Sequence, residues 1–288
     1  QRLLIPVLQS YKLTGLNEHE NENITLDSLR SKAWKNKSRK TQEQAEAEAK
    51  ILLEIYAKRE LERRKPFDEP NEMYDEFIKA FPYNETSDQL KAVSEIMKDL
   101  SSNYPMDRLL VGDVGFGKTE VALRAAFRVI NSGFQVCVLV PTTILAQQHF
   151  TTFQSRLSGF PVKVGLVSRF VSSKEVKKIL ELTSAGQIDI LIGTHKLLQK
   201  GGVNFKRLGL LIIDEEHRFG VMHKEGLKQN YGSVDILSLS ATPIPRTLAM
   251  SLRGLRSISV LSTPPEDRLP VSTYAGGWNA AIIRSEER

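Results

Sequence analysis

A single cysteine in 288 residues excludes an internal disulfide, and Cys137 lies in the apolar run 136–140, where it reads as a buried strand position. The five histidines are scattered without metal-ligand spacing, which argues against zinc. No stretch of about 18 apolar residues occurs, so a helical membrane span is excluded. The opening Gln1-Arg2-Leu3-Leu4-Ile5-Pro6 is too short and too abruptly ended for a signal peptide, and a cytoplasmic protein is the default expectation. What is present is ordinary for a globular chain: 41% hydrophobic and 26% charged residues exclude a wholly disordered one, and the length suits one large domain plus an extended piece.

The net charge of +6 is unevenly placed. Residues 1–100 carry 17 basic and 19 acidic side chains, whereas residues 101–288 carry 23 and 15, a local balance of +8. That excess suits a polyanionic partner such as nucleic acid, although many basic domains bind none.

Three textures follow one another. Residues 1–30 start with a β-like stretch and pass into a polar loop, too little to bury a core alone. The chain begins with Gln, as an excised piece of something longer would. Residues 39–65 read as a helix of roughly 40 Å, with Ile51, Leu52, Ile55 and Tyr56 on one stripe and Glu46/Lys50, Glu54/Lys58 and Glu60/Arg64 as favourably oriented pairs, stopped by Pro66. It is either a helix packed on its neighbour or a connector between modules. From residue 106 onward, seven continuous apolar runs (109–111, 136–140, 162–167, 188–192, 208–213, 236–239 and 258–261) alternate with helical segments. Continuous runs are expected of strands covered on both faces, so the fold class is α/β with a mainly parallel sheet and helices on both sides.

Four motifs carry chemistry. Gly112-Asp113-Val114-Gly115-Phe116-Gly117-Lys118-Thr119, followed by Glu120, fits G-x-x-x-x-G-K-[ST] between a strand and a helix. Its glycines let backbone N–H groups face a phosphate chain, Lys118 reaches the terminal phosphates, and Thr119 offers a hydroxyl to Mg²⁺. The apolar strand 208–213 ends in Asp214-Glu215-Glu216-His217, where Asp214 can hold the metal shell and Glu215 can orient or deprotonate the attacking water. Upstream, Phe81-Pro82-Tyr83-Asn84-Glu85-Thr86-Ser87-Asp88-Gln89 supports two readings. One is a helix capping box of Thr86 and Gln89; the other is an adenine site in which the Gln89 amide meets the base edge and Phe81 stacks nearby. Finally, Ser240-Ala241-Thr242-Pro243-Ile244-Pro245-Arg246 is a strand end followed by a forced irregular turn, whose Ser240, Thr242 and Arg246 could couple to the acidic motif.

In this order, together with Pro141-Thr142-Thr143 and Gly193-Thr194-His195-Lys196, the motifs resemble the first motor domain of superfamily 2 DExH-box helicases and translocases. Among these, the wording is nearest to the bacterial transcription-repair coupling factors, densely over residues 80–272. The resemblance implies a RecA-like ATPase and translocation domain over 67–288. It also implies a connecting, relay-like helix over 31–66 and, over 1–30, the remnant of an RNA-polymerase-interacting module. ATP and Mg²⁺ are the implied cofactors, with Lys118, Asp214 and Glu215 catalytic. Thr142, Thr143, Gln147, Arg169, Thr194 and His195 would line a track for double-stranded DNA by touching phosphates, as a motor indifferent to sequence should. Each of these, taken alone, also reads as a cap or loop residue, and Lys174, Lys177 and Lys178 read as solvated surface.

The branched-DNA translocases that remodel stalled replication forks share most of these motifs. They usually carry Ser where Phe116 stands and Gln where Glu216 stands, which favours the coupling factors. The implied partners of the intact protein are RNA polymerase and excision-repair proteins, with the chain itself expected to be a monomer. No Gln-x-x-Gly-Arg-x-Gly-Arg pattern occurs, and in the family a second lobe supplies those arginines, so weak ATP binding, little hydrolysis and no translocation are expected of this chain. A non-hydrolysing docking or regulatory fragment is the alternative of a different class.

Overall fold

A computed structural model describes residues 39, 61–194, 197, 203–215, 233–241, 256–266 and 268. The chain divides into two compact units, Gln1–Glu54 and Ile55–Arg288, and every described residue except Arg39 belongs to the second. The expected β remnant over 1–30 and most of the connecting helix lie outside the described residues. Among the described residues no helix is long and apolar enough to cross a membrane.

The end of that helix is visible and differs from expectation. Leu61 is helical, but residues 62–70 are not, four residues earlier than the break expected at Pro66. A residue preceding proline is pushed out of the helical region. Here Arg64 also leaves the helix path, donating its N–H to Asn103 O at 2.8 Å and its guanidinium to Asp235, with Nε–Oδ2 at 2.6 Å and Nη2–Oδ1 at 2.9 Å.

Two helices follow, α1 (Glu72–Lys79) and α2 (Ser87–Leu100), then β1 (Asp107–Gly112), α3 (Lys118–Asn131), β2 (Gln135–Val140), α4 (Thr143–Arg156), β3 (Val164–Val167), α5 (Ser173–Ser184), β4 (Ile190–Thr194), β5 (Leu208–Ile213), β6 (Asp235–Ser240) and β7 (Ser257–Leu261). Each of the seven apolar runs is a strand. They form one sheet in the order β3-β4-β2-β5-β6-β1-β7, and every pairing is parallel.

The continuous runs have the expected cause. Along β2, Val136, Val138 and Val140 face the layer formed with α1 to α4, while Cys137 and Leu139 face a second layer that includes Ile179 and Leu180 of α5. Successive side chains point to opposite faces, and both faces are covered. In the first layer, Phe77 of α1 stacks on Phe127 of α3 at 4.2 Å, and Phe160 meets both rings edge-on. Burial raises the Cys137 thiol well above its ordinary range, so it behaves as a core side chain.

Because no strand runs backwards, all strand carboxyl ends share one edge. The loops after β1, β2, β3, β5 and β7 therefore emerge together, in the place where open α/β sheets bind ligands.

Candidate functional site

The phosphate loop leaves β1 at Gly112 and enters α3 at Lys118. Gly115 and Gly117 sit at φ +81° and +83°, the left-handed region that glycine enters without cost. At Gly117 a Cβ would lie 2.3 Å from Gln89 Nε2, so glycine is also required by space. Whereas α1, α2, α4 and α5 each begin with a side-chain cap, α3 has none. Its first N–H groups are thus left for an anion. Lys118 Nζ donates to Gly112 O at 2.7 Å and Asp113 O at 2.8 Å, lying along the loop it would serve. Partial burial pushes the Lys118 ammonium below the ordinary lysine range, while the charges of Asp214, Asp113 and Glu215 pull it back up. The acidic motif after β5 therefore acts on the same point as the loop after β1, although β6 lies between the two strands.

Beside the loop is a cavity of about 470 Å³ bounded by Phe81, Tyr83, Asn84, Gln89, Gly115, Gly117, Glu120, Pro265, Glu266 and Arg268. That volume is within the range of small-ligand sites. Gln89 realises the capping-box reading: its N–H donates to Thr86 Oγ1 and its Oε1 accepts from Thr86 N–H at 3.1 Å. Its Nε2 also donates to Phe116 O at 2.9 Å, tying α2 to the loop. One amide hydrogen and one lone pair remain for a base edge. Phe81 lies edge-on to Tyr83 at 5.5 Å, with the guanidiniums of Arg124 and Arg156 within 5.5 Å of its ring.

Phe116 contributes differently from its motif neighbours, since its ring is in the core. Glu120 lines the cavity but spends its carboxylate on ion pairs with Arg124 and Arg156, and Arg124 in turn pairs with Glu85. Val114 and Asp113 are exposed.

Asp214 follows β5, its N–H donating to Leu139 O of β2 at 2.9 Å. One carboxylate oxygen accepts the Glu215 N–H at 2.9 Å, and the other is 2.7 Å from His149 Nε2. Glu215 has φ +54°, an uncommon conformation for a non-glycine residue that holds the turn sharply at the strand end. The Asp214 carboxylate and the Thr119 hydroxyl are hard oxygen donors, and each Asp214 oxygen keeps a free lone pair, so the set suits Mg²⁺ with several of its waters retained.

A second cavity, of about 580 Å³, opens on the other half of the same edge. It is lined by Pro141, Thr142, Thr143, Val167, Ser168, Arg169, Leu180, Thr194, Leu197 and Val203. Four of the six residues expected on the DNA track, Thr142, Thr143, Arg169 and Thr194, therefore share one groove. Thr142 is also the cap of α4, accepting Leu145 N–H at 3.3 Å. Among the described residues no carboxylate pairs with the exposed Arg169, which lies 5.4 Å from the Phe170 ring. Gln147 is exposed farther along α4 and does not line the groove, and His195 lies outside the described residues. Of the coupling residues, Ser240 ends β6 at the shared edge, whereas Thr242 and Arg246 lie outside the described residues. Lys174, Lys177 and Lys178 are exposed on α5.

Four contributing residues carried no signal of their own in the sequence. His149 reaches Asp214 only because β2 and β5 are neighbours. Arg268 pairs with Asp113 at 3.0 Å and covers the Phe116 ring at 4.8 Å, from a segment with no motif of its own. Tyr83 and Asn84, inside a motif already noted, complete the cavity wall.

The transcription-repair-coupling factor of Bacillus subtilis (strain 168) is 49% identical over 283 residues, 98% of this chain and 24% of the relative. That of Escherichia coli (strain K12) is 46% identical over 98% of this chain and 25% of the relative. The chain thus spans about a quarter of the length of these curated relatives. Among solved structures, RecG bound to a three-way DNA junction superposes with a TM-score of 0.66 at 39% identity, covering 77% of this chain and 30% of that one. The sheet is therefore of the RecA-like kind. The model of the DEAD/DEAH box helicase family matches residues 86–251, more than half of the sequence, including the phosphate loop, the acidic motif and the whole lining of the second cavity, and the chain belongs to that family.

Proposed function

We propose that this chain is the ATP-binding motor lobe of a double-stranded-DNA translocase of the transcription-repair coupling kind, which in its intact form displaces stalled RNA polymerase and brings in excision-repair proteins. The observation that carries the reading is the shared sheet edge. It brings the phosphate loop after β1, the Asp214-Glu215 pair after β5 and the groove of Thr142, Thr143, Arg169 and Thr194 to one side of the sheet, with β6 alone between β1 and β5 and strands spaced about 4.8 Å apart. The likeness to the coupling factors supports the choice of partners and of the motor class.

In this reading the loop amides and Lys118 hold the triphosphate, Thr119 and Asp214 hold Mg²⁺, and Phe81 and Gln89 hold adenine. Mg²⁺, when bound, neutralises charge on the phosphoryl group being transferred. Glu215 orients or deprotonates the attacking water. Its fixed backbone aims the carboxylate, and its neighbour Asp214 is held from both sides. On the groove side, hydroxyls and an unpaired guanidinium grip phosphates without reading bases. Ser240, Thr242 and Arg246 would relay between the two sites.

Turnover by this chain alone is expected to be small, so the test measures binding. Lys118→Ala should weaken Mg·ATP by the loss of a charged hydrogen bond, about 1.5–3 kcal/mol, or roughly 10- to 150-fold. Unchanged affinity would remove Lys118 and the loop from the nucleotide site. Arg169→Ala should weaken duplex binding equally for unrelated sequences and lower the salt slope by about 1.

The fork-remodelling reading is favoured by one observation, the superposition on a junction-bound structure. Competition between a plain duplex and a three-way junction separates the two, since a fork remodeller prefers the junction.

A further inference from the structure

His149 is not part of the phosphate loop, the acidic motif or the groove lining, yet it touches the carboxylate assigned to the metal. It sits on α4, 8% exposed, with Nε2 2.7 Å from Asp214 Oδ2 and its ring edge-on to Phe153 at 5.9 Å. The carboxylate accepts, so Nε2 carries the hydrogen; Nδ1 is buried with no hydrogen-bond partner. A core histidine kept for packing alone would not need its polar edge turned toward an acid at the ligand edge of the sheet.

The second observation is where α4 begins. Thr142 and Thr143, its cap and first residue, line the groove together with Pro141. His149 follows Thr143 by six positions, roughly 9 Å along the helix axis. Asp214 is also held by main chain to the strand that feeds α4, through Leu139 O. Strand β2, the Pro141 corner and α4 therefore form one continuous element, with the groove at the corner and both handles on Asp214 flanking it. A helix moves as a unit and a packed core is not continuously deformable. A shift of the Thr142–Thr143 corner is consequently delivered to Asp214 Oδ2.

We infer that His149 is a positioning residue that couples the two sites: a phosphate backbone seated on Thr142, Thr143 and Arg169 sets the aim of the Asp214 carboxylate through α4 and the His149–Asp214 hydrogen bond. The coupling runs both ways, as any linkage of two binding equilibria must. It rests on the proposed assignment of the two cavities, and it adds the physical connection between them.

The test uses the whole chain, a fluorescent ATP analogue with and without Mg²⁺, and a short blunt DNA duplex. In the unmutated chain, saturating duplex should tighten Mg·nucleotide binding roughly 5-fold or more, with no such gain when Mg²⁺ is chelated. His149→Phe keeps a ring against Phe153 and loses the donor, and its ratio should fall to about one. His149→Gln places an amide N–H at similar reach and should recover most of the ratio. A general packing role would shift thermal midpoints without separating the Mg²⁺ and Mg²⁺-free titrations.

A measurement on the unmutated chain avoids any question of folding: the ring-nitrogen resonance of His149 Nε2 should move on adding duplex alone. The inference is overturned if that resonance stays put, if the unmutated chain shows no Mg²⁺-dependent duplex effect, if His149→Phe retains the full ratio, or if folded His149→Gln behaves like His149→Phe. Failure of the unmutated chain to bind either nucleotide or duplex strikes the functional assignment itself, and is distinguishable because no ratio can then be measured.

Discussion

Replacing Gly117 with alanine tests the geometry of the phosphate loop without any ligand. Two costs arise from the structure. The first is conformational: φ at Gly117 is +83°, and a side chain held in the left-handed region costs about 1–2 kcal/mol. The second is spatial, because the new Cβ would lie 2.3 Å from Gln89 Nε2. Gln89 can yield only by giving up its bonds to Phe116 O and Thr86 N–H, at about 0.5–1.5 kcal/mol each. Together these give about 2–5 kcal/mol for Gly117→Ala. In a Gln89→Ala background the spatial part is gone and only the 1–2 kcal/mol of strain should remain. Urea unfolding of the four proteins in this double-mutant cycle isolates the coupling, expected at about 1–3 kcal/mol. If Gly117→Ala costs the same in both backgrounds, the loop is not packed on Gln89 as described. A total below about 0.5 kcal/mol, the usual scale of a surface change, would refute the left-handed conformation as well.

Two further outcomes concern the frame. Asp235 is fully buried and holds both Arg64 and the Met106 N–H, so Asp235→Ala leaves the half-buried Arg64 guanidinium with backbone carbonyls alone and the Met106 N–H without its acceptor, and should cost about 3–5 kcal/mol in chemical unfolding. A loss below about 1 kcal/mol, the scale of an exposed pair, would show that Arg64 is solvated. Asp88 is held below its ordinary value of 3.8 by the N–H groups of Ser262 and Thr263 and by the Thr263 hydroxyl. Its contribution is therefore complete above that value and is lost as pH falls through the lowered one. The gap in thermal midpoint between the unmutated chain and Asp88→Ala should hold from neutrality to pH about 5 and narrow on the acid side of 3.8.

How much could be read in advance depended on where each signal resides. The strands were legible because burial on both faces turns each into an uninterrupted apolar run, as in Val136 to Val140. Gly115, Gly117 and Lys118 were legible because their chemistry is local to one loop. Gln89 carried two meanings in the sequence, and the structure gives it the cap while leaving it at the cavity wall. His149 was out of reach, since its partner is 65 residues away and the two meet through the order of strands. Arg64 was misread because the helical pairing pattern continued through it, and the pull of Asp235, 171 residues distant, leaves no local trace.

Sheet order also dictates when the phosphate loop can take its folded place. Strand β1, which presents the phosphate loop, pairs only with β6 and β7, so Asp107 waits for Ile236 and Arg108 for Ser257. A ribosome adding about 5–20 residues per second takes roughly 6 to 26 s to synthesise the intervening stretch. Through that interval the nascent loop hangs from a strand with bare edges, whereas β2, β3 and β4 can already pair around the groove. The half with the proposed DNA groove is thus completed ahead of the half with the phosphate loop, and a chain stalled before residue 257 would lack β7, one of the two neighbours that complete the pairing of β1.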